Sequence, residues 1–507
     1  MIGFPTTDQQ TNRPAWPRRR PAPVFARNGM VAAAHPLTVA AGLEQLAGGG
    51  NAVDAAVAAA LTAAVVMPEM CGIGGDLFAL VHAPAGGSEG TVAVHGSGIA
   101  PRGASLAFMR EHGEAGGTRM PYQGPLSVAV PGMVDACFRL LDRFGSRTFA
   151  EVATAAVGHA RDGFPLGALG AAAIRENADL FRRFPASAAV FLPDGRSPGV
   201  GDVFRQPDLA ATLGEIAAGG PDAFYRGGLA RRMTRALADA GGVLTADDLA
   251  DHATDLAPPL SVAYRGHVVQ STGLPSHGLI LLEALKIAGQ GDVRALGVDS
   301  AAGVHLLAES FKRAVADRLA YAVDPAFGDT PVAALFSDDW AGRRFADIDP
   351  DRAADEIPAA PLADGDTTYI AVGDGSGGMV SLIVSLSSGF GSGVVAGETG
   401  VLLNNRAGRG FTLEDGHPNV YAPGKKTMHT LHCFLVPAPD GTPQLVGGTP
   451  GGDGQPQWNL QMLAGLIDAG LDVQAAAELP RWTVWPATDP ITLPNPYELR
   501  VEERLGN

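Results

Sequence analysis

Two consecutive threonines, Thr367 and Thr368, stand where an acidic segment with three prolines, residues 348–363, leads into an apolar strand. A β-branched residue suits the start of a strand, which explains the pair without any function. A threonine hydroxyl is also a nucleophile when a base lies beside it. The pair therefore has a structural and a catalytic interpretation, and the rest of the chain must decide between them.

Two glycine-rich stretches follow: residues 387–405, which end in paired asparagines, and GGTPGGDG, residues 447–454. The second stretch follows a predicted strand and precedes a predicted helix. At such a corner the backbone N–H groups can point together at an anion, as stabilisation of an oxyanion requires. A plain turn is the alternative interpretation.

Other motifs argue against several classes of site. GDGSGG, residues 373–378, has the spacing of a dinucleotide-binding loop, but strands flank it, whereas that loop must open a helix. No HExxH motif occurs, and the three cysteines form no CxxC pair. His429 and His432 would face opposite sides of a strand, which disfavours a shared metal. The sequence predicts no metal and no organic cofactor; a Ser/His/Asp triad stays open, but nothing singles one out.

The elements that must position these residues change character along the chain. Two helices predicted within 36–67 precede two strands within 71–98, and residues 131–346 are mostly helical with one extended interruption at 260–278. Beyond the Pro-rich linker the apolar period becomes two, which predicts four strands before helical residues 455–480. Strands at both ends of a helical middle predict sheets covered by helices, of the α+β or α/β class.

The composition favours a large soluble protein. Of the 507 residues, 46% are hydrophobic and 18% charged, and the net charge of −16 argues against nucleic acid or an anionic membrane as the main partner. Residues 1–28 lack the apolar core of a secretory signal, so we predict a disordered lead. The apolar window 52–67 is too short to span a bilayer. We expect a cytoplasmic protein.

Taken in order, seven motifs resemble the γ-glutamyltranspeptidase family of N-terminal-nucleophile hydrolases. The resemblance covers the chain from about residue 30 to residue 500, and the motifs lie between residues 68 and 457: PEMCGIGGDLF, VAVPGMVDAC, YRGHVVQSTGLPSHG, TTYIAVGDGSG, FGSGVVAGETGVLLNNR, HPNVYAPGKK and GGTPGGDGQPQ. The resemblance implies an α+β fold, the four-layer αββα sandwich of these hydrolases, made as one inactive precursor. Self-cleavage between Asp366 and Thr367 would yield a large subunit, residues 29–366, and a small subunit, residues 367–507. The two would stay together as a heterodimer, which could dimerise further.

The resemblance also implies roles for individual residues. Cleavage would give Thr367 a free α-amino group, whose usual pKa of about 7.7–8.0 suits a base, so one residue would supply both nucleophile and base. Ser385 occupies the place of a threonine bonded to the nucleophile, and Gly451 and Gly452 that of the oxyanion-hole pair. The implied substrate-binding positions include Ser387, Asn405 and Arg406.

The substrate site departs from the family pattern. The family holds an α-carboxylate with an arginine, but that position here is Leu106; the nearby Arg102 is either a substitute for it or a solvated surface arginine. The family holds an α-ammonium with an acidic residue, but RAGRG puts Arg406 and Arg409 there. Two arginines would repel an ammonium. We therefore hypothesise an acyl group without a free α-amine, as in oxamate- or glutaryl-type amides.

Further departures concern the rim of the site and the end of the chain. His429 and Thr430 replace a serine pair that helps to hold the carboxylate, and the lid segment is absent, which predicts an open site. Family members continue for some tens of residues beyond the position of ELRVEERLGN, residues 498–507, so we expect a small subunit that is truncated at its C-terminus. Whether such a chain processes itself completely stays open.

The predicted function is a self-processing threonine amidohydrolase that cleaves a γ-glutamyl or related small-molecule acyl amide through an acyl-enzyme. An open site gives water access to that intermediate, which favours hydrolysis over transfer. One alternative is an oxamate- or glutaryl-type amidohydrolase, like the cephalosporin acylases, without γ-glutamyl specificity. Another is an uncleaved, inactive homologue that acts as a binding protein.

Overall fold

The computed structural model describes residues 22–83, 90–354, 367–485 and 498–505. Most of the predicted lead, and Asp366 before the predicted cleavage point, lie outside the described residues. The strands are β1 (Gly29–Ala33), β2 (Asp76–His82), β3 (Thr91–Gly96), β4 (Phe164–Pro165), β5 (Val203–Phe204), β6 (Asp255–Ala257), β7 (Leu260–Tyr264), β8 (His267–Ser271), β9 (Thr368–Asp374), β10 (Met379–Ser385), β11 (Phe434–Pro437), β12 (Pro443–Gly447), β13 (Trp482–Trp485) and β14 (Glu498–Val501).

Helices account for most of the chain between β3 and β9. The helices are α1 (Pro36–Ala47), α2 (Ala52–Val66), α3 (Leu106–Glu111), α4 (Met133–Phe144), α5 (Phe149–Val152), α6 (Thr154–Asp162), α7 (Ala168–Glu176), α8 (Ala178–Arg182), α9 (Pro185–Phe191), α10 (Pro207–Gly219), α11 (Pro221–Tyr225), α12 (Gly228–Asp239), α13 (Ala246–Ala250), α14 (Gly278–Ala288), α15 (Val293–Leu296), α16 (Ala301–Tyr321), α17 (Val332–Leu335), α18 (Asp338–Ala346), α19 (Arg406–Gly410), α20 (Gln455–Ile467) and α21 (Val473–Glu478).

Two sheets dominate the fold. One has six strands in the order β1-β9-β10-β2-β3-β6, the other has four in the order β12-β11-β8-β7, and β13–β14 and β4–β5 are separate pairs. All pairings within these sheets are antiparallel. The fold is therefore α+β, because an α/β fold needs parallel strands joined by crossover helices. The strands predicted on both sides of the helical middle are confirmed.

Helix α2 fills the space on one face of the six-stranded sheet. The Asn51 side chain caps it by accepting hydrogen bonds from the next turn, and the Asp54 carboxylate accepts from the Asn51 N–H at 2.8 Å. All its residues are buried, in a core shared with Ile370, Val372 and Leu382 of the sheet. None of the described helices is long and apolar enough to span a membrane.

Strand β2 is apolar on both faces because both are covered. Leu77, Ala79 and Val81 belong to the core with α2, whereas Phe78 and Leu80 contact residues of the four-stranded sheet or its approach. Helices α14 and α16 share a second core with the four-stranded sheet. The apolar faces of the two sheets therefore meet, and each sheet carries helices on its other face.

Candidate active site

Thr367 lies immediately before β9 and beside the last residue of β10. The antiparallel register places Thr368 opposite Val384, so the next pair is Thr367 and Ser385. The two hydroxyl oxygens are 3.3 Å apart and both residues are 1% exposed. Ser385 Oγ also accepts from the N–H of Ser387 at 2.8 Å. The structure thus brings together three residues for which the sequence predicts roles in catalysis and substrate binding.

Asp76, at the start of β2, is brought to the same place because the register pairs it with Ser385. Its Oδ2 accepts from Arg406 Nε at 3.0 Å and lies 2.9 Å from His429 Nε2. His429 Nδ1 accepts from the N–H of Leu431, so the ring proton is on Nε2 and donates to Asp76. Arg406 and His429 are thus held together by one buried carboxylate.

A second buried ion pair lies beside the first. Arg409 Nη2 donates to Asp453 Oδ2 at 2.6 Å, and Asp453 Oδ1 is 3.8 Å from His277 Nδ1. The Thr430 hydroxyl joins the two pairs through long contacts with Arg406 Nη1 at 3.4 Å and Arg409 Nη1 at 3.5 Å. Two arginines and two aspartates therefore balance in charge around Thr430.

Burial sets the protonation states of this cluster. Burial alone would raise the pKa of Asp76. His429 and Arg406 outweigh the effect of burial and hold the pKa of Asp76 below its ordinary value. Burial lowers the pKa of Arg406 to about 10 against the opposing effect of Asp76, and Arg406 still carries its charge at neutral pH. Burial raises the pKa of Asp453, while Arg409 favours its carboxylate form. Each charge needs its partner, because an unpaired buried charge is strongly destabilising.

The glycine corner after β12 lies against the same cluster. Gly451 has φ +119° and Gly452 φ +51°, conformations that favour glycine. A Cβ at Gly451 would overlap the ring of Trp458. With its amide oriented to suit its neighbours, Gln455 donates to the Thr430 carbonyl at 3.1 Å and accepts from the Gly452 N–H at 3.3 Å. That last contact is long, and we expect an oxyanion to replace it.

Asn405 anchors the loop that carries Ser387. Its Oδ1 accepts from the N–H of Ser388 at 3.1 Å, and its Nδ2 donates to the Tyr122 carbonyl at 3.0 Å. The Tyr122 hydroxyl lies 2.7 Å from Ser388 Oγ. Ser387 itself has φ +90°, which is strained for a residue with a side chain. The geometry shows Asn405 holding the loop in place, and its predicted contact with substrate stays a prediction.

Arg102 lies outside this cluster. Its side chain is 49% exposed and pairs with Asp248 of α13 at 3.5 Å and with Asp251 at 3.0 Å. No hydrogen bond or ion pair within the described ranges joins it to Thr367 or its neighbours. To bind substrate, Arg102 would have to leave these partners, and its role stays a prediction.

The comparisons with known proteins show the family of the chain. The Gamma-glutamyltranspeptidase family model matches residues 38–506. The chain belongs to this family. It is 37% identical to the glutathione hydrolase-like YwrD proenzyme of Bacillus subtilis over 95% of this chain and 89% of that protein. It is 36% identical to the oxamate amidohydrolase proenzyme of Klebsiella pneumoniae over 90% and 85% of the two chains.

A solved structure is similar to this chain over nearly its whole length. The cephalosporin acylase from Bacillus halodurans superposes with a TM-score of 0.87 at 34% identity, over 95% of this chain and 88% of that one. The resemblance inferred from the motifs is confirmed. The protein is accordingly an enzyme, a γ-glutamyltransferase- or glutathione hydrolase-like amidohydrolase of the N-terminal-nucleophile class.

Several site residues were missed by the sequence-based reasoning: Asp76, Asp453, His277 and Gln455. Each lies inside a motif quoted for the family resemblance, but none was assigned a role. Asp76 and Asp453 could have been found because each is a carboxylate inside a glycine-rich motif. Arginines were expected near the site, and a buried arginine needs such a partner. Within the part of the chain that the structure describes, no group of three or more His, Cys, Asp or Glu side chains is placed to hold a metal ion.

We expect the folded protein to lose stability as the pH falls from about 6.5 to 4. Burial lowers the pKa of His429 to about 3 and those of His432 and His95 to about 4, whereas an unfolded histidine titrates near 6.5. In this window the unfolded chain therefore binds more protons than the folded chain. The free energy of unfolding falls by about 1.4 kcal/mol per pH unit for each excess proton. Urea unfolding midpoints at pH 7, 6 and 5 measure the effect. Equal midpoints would show that these histidines are not buried in neutral form.

Proposed function

We propose that this enzyme is a self-processing threonine amidohydrolase that hydrolyses a short acyl amide carrying a free carboxylate and no α-ammonium. The observation that carries the substrate class is the pair of buried arginines, Arg406 and Arg409, at the positions where the family places acidic residues. Asp76 and Asp453 balance the charge of these arginines, but Arg406 Nη2 has no hydrogen-bond partner among the described residues. It can donate to a carboxylate and not to an ammonium, which accepts no hydrogen bond.

The proposed reaction begins with self-cleavage before Thr367, which frees its α-amino group. That amine accepts the Thr367 hydroxyl proton while Oγ attacks the amide carbonyl, and the Gly451 and Gly452 N–H groups face the resulting oxyanion. The amine then passes the proton to the leaving nitrogen as the C–N bond breaks. Water hydrolyses the acyl-threonine ester and releases the acid. The Thr367–Ser385 contact supports this assignment, because it positions the hydroxyl before the reaction.

The names of the relatives support acyl amides in general as the substrates. They include an oxamate amidohydrolase, acylases and a glutathione hydrolase-like protein. Because several are proenzymes, we propose that residues 29–366 and 367–507 form a heterodimer after cleavage. We also propose that the two facing sheets with their outer helices constitute the four-layer αββα sandwich.

γ-Glutamyl amides are the second candidate substrates. Asp453 favours them, because its carboxylate lies beside Arg409 and could hold an α-ammonium while an arginine holds the α-carboxylate. This arrangement would need Asp453 to exchange its 2.6 Å contact with Arg409 for one with substrate.

Three p-nitroanilides distinguish the candidates with the purified, processed enzyme. The glutaryl compound differs from the γ-glutamyl compound only by the α-amine, and the butyryl compound lacks the distal carboxylate. We expect kcat/KM for the glutaryl compound to exceed those of the other two by at least about tenfold, or about 1.4 kcal/mol. A faster γ-glutamyl compound would establish the second candidate. Addition of glycylglycine as an acceptor measures transfer against hydrolysis.

A further inference from the structure

Several buried polar groups beside the nucleophile lack hydrogen-bond partners among the described residues. They are Ser387 Oγ, both ring nitrogens of His277, and Arg406 Nη2. Ser387 is 0% exposed, and His277 and Arg406 are each 1% exposed. Leaving a buried polar group unpaired costs about 1–3 kcal/mol, so three such residues in one place call for an explanation.

These groups belong to one continuous cluster. His277 Nδ1 is 3.8 Å from Asp453, which pairs with Arg409, and an Arg409 nitrogen lies 3.5 Å from the Ser387 carbonyl. The His277 backbone N–H donates to the His429 carbonyl at 2.9 Å, and the His429 ring in turn contacts Asp76 of the other ion pair. His277 thus contacts the Asp453–Arg409 pair through its ring and is joined to the Asp76–Arg406 pair through His429, although it comes from the turn before α14 and was assigned no role.

The unpaired groups are mainly hydrogen-bond donors. Arg406 Nη2 and the Ser387 hydroxyl both donate. Burial lowers the pKa of His277 well below its ordinary value, and Arg318 adds to the effect, so the ring is neutral with one N–H donor. A carboxylate accepts up to about four hydrogen bonds and is the substrate group that best suits several converging donors.

We propose that His277, Ser387 and Arg406 bind the free carboxylate of the acyl group, and that His277 is a specificity-determining residue of this enzyme. This inference rests on the proposed function and adds a residue and a substrate class to it. Ser385 Oγ accepts from the Ser387 N–H and from Thr367 Oγ1, so Ser387 lies on the order of 6 Å from the Thr367 hydroxyl. A carboxylate bound at Ser387 must therefore lie close to the scissile carbonyl. The substrates are therefore monoamides of short dicarboxylic acids, of about two to five carbons.

The first test is calorimetric binding of glutarate, with butyrate as the monocarboxylate control, to the processed protein. We expect His277→Leu and Ser387→Ala each to weaken glutarate binding at least tenfold, and His277→Asn to restore part of the loss. Ser387→Ala removes a hydroxyl without a partner, so it should fold even if His277→Leu does not. His82→Leu is the matched control: its Nδ1 is also unpaired, but it lies at the other end of β2 from Asp76, about 20 Å away.

Kinetics supply the second readout. His277→Leu and Ser387→Ala should raise KM for the glutaryl p-nitroanilide at least tenfold and change kcat/KM for the butyryl compound by less than threefold. Unchanged glutarate binding in folded His277→Leu and Ser387→Ala would overturn the inference, as would equal losses for both substrates. If wild type binds glutarate in a manner dependent on His277 but hydrolyses no amide, the carboxylate site stands and the proposed function fails. If wild type prefers the glutaryl over the butyryl p-nitroanilide and folded His277→Leu and Ser387→Ala keep that preference, the proposed function stands and the carboxylate site fails alone.

Discussion

Replacement of Thr367 by alanine should leave the chain whole and reduce amide hydrolysis at least about 10³-fold, because one residue supplies the attacking oxygen for both reactions. The wild-type protein should separate into pieces of about 37 and 14 kDa, in proportion to the two segment lengths of the 51.9 kDa chain. Intact-mass spectrometry of both proteins measures the first effect, and p-nitroanilide hydrolysis measures the second.

The neighbouring threonine gives this experiment a matched control. Thr368 is also buried, but its hydroxyl contacts only Met67 Sδ, at 3.9 Å, among the described residues. Thr368→Ala should therefore cleave and hydrolyse like wild type. Thr367→Ser, which keeps a hydroxyl, should retain part of both activities. Cleavage of Thr367→Ala at the same bond would contradict the mechanism, and a folded wild type that never cleaves would indicate the inactive homologue.

The contact between Thr367 and Ser385 was predictable because Thr367 precedes, and Ser385 ends, strands that the sequence pattern reveals. TTYIAV and MVSLIVSL are rich in apolar and β-branched residues and are separated by a short glycine-rich turn, a pattern typical of an antiparallel hairpin. The structure confirms these strands, and their register alone brings Thr367 beside Ser385. Such a local pairing depends on few distant residues.

The charged surroundings of the nucleophile were harder to predict because they depend on long-range register. Asp76 and Arg406 are separated by 330 positions and meet only because β2 pairs with β10 and the loop after β10 turns back across it. The partners of Arg102 depend on α13, far along the chain. A single sequence shows which residues carry charge but not which charges neutralise each other. For this reason the two arginines suggested a cationic site, whereas the structure pairs each with an aspartate.

Gly451→Ala should be the most damaging of the conservative changes at the glycine corner. Alanine rarely adopts φ +119°, and its Cβ would overlap the ring of Trp458, whose indole nitrogen is held by Thr483 at 3.0 Å. The corner must then shift, and the Gly451 and Gly452 N–H groups move with it. Loss of one donor to an oxyanion typically lowers kcat by 10²–10³-fold, and we expect a loss of this size together with slower self-cleavage.

Two further variants separate backbone strain from the clash with Trp458. Gly470 also has a positive φ, +65°, but an added Cβ would meet no atom within 4 Å. Gly470→Ala should therefore cost only the strain, about 1–2 kcal/mol, and keep full activity. Gly451→Ala combined with Trp458→Leu removes the overlapping ring but not the strain, so it should recover part of kcat relative to Gly451→Ala. A folded Gly451→Ala enzyme with kcat within threefold of wild type would show that this corner does not stabilise the oxyanion, because displaced donors cannot leave the rate unchanged.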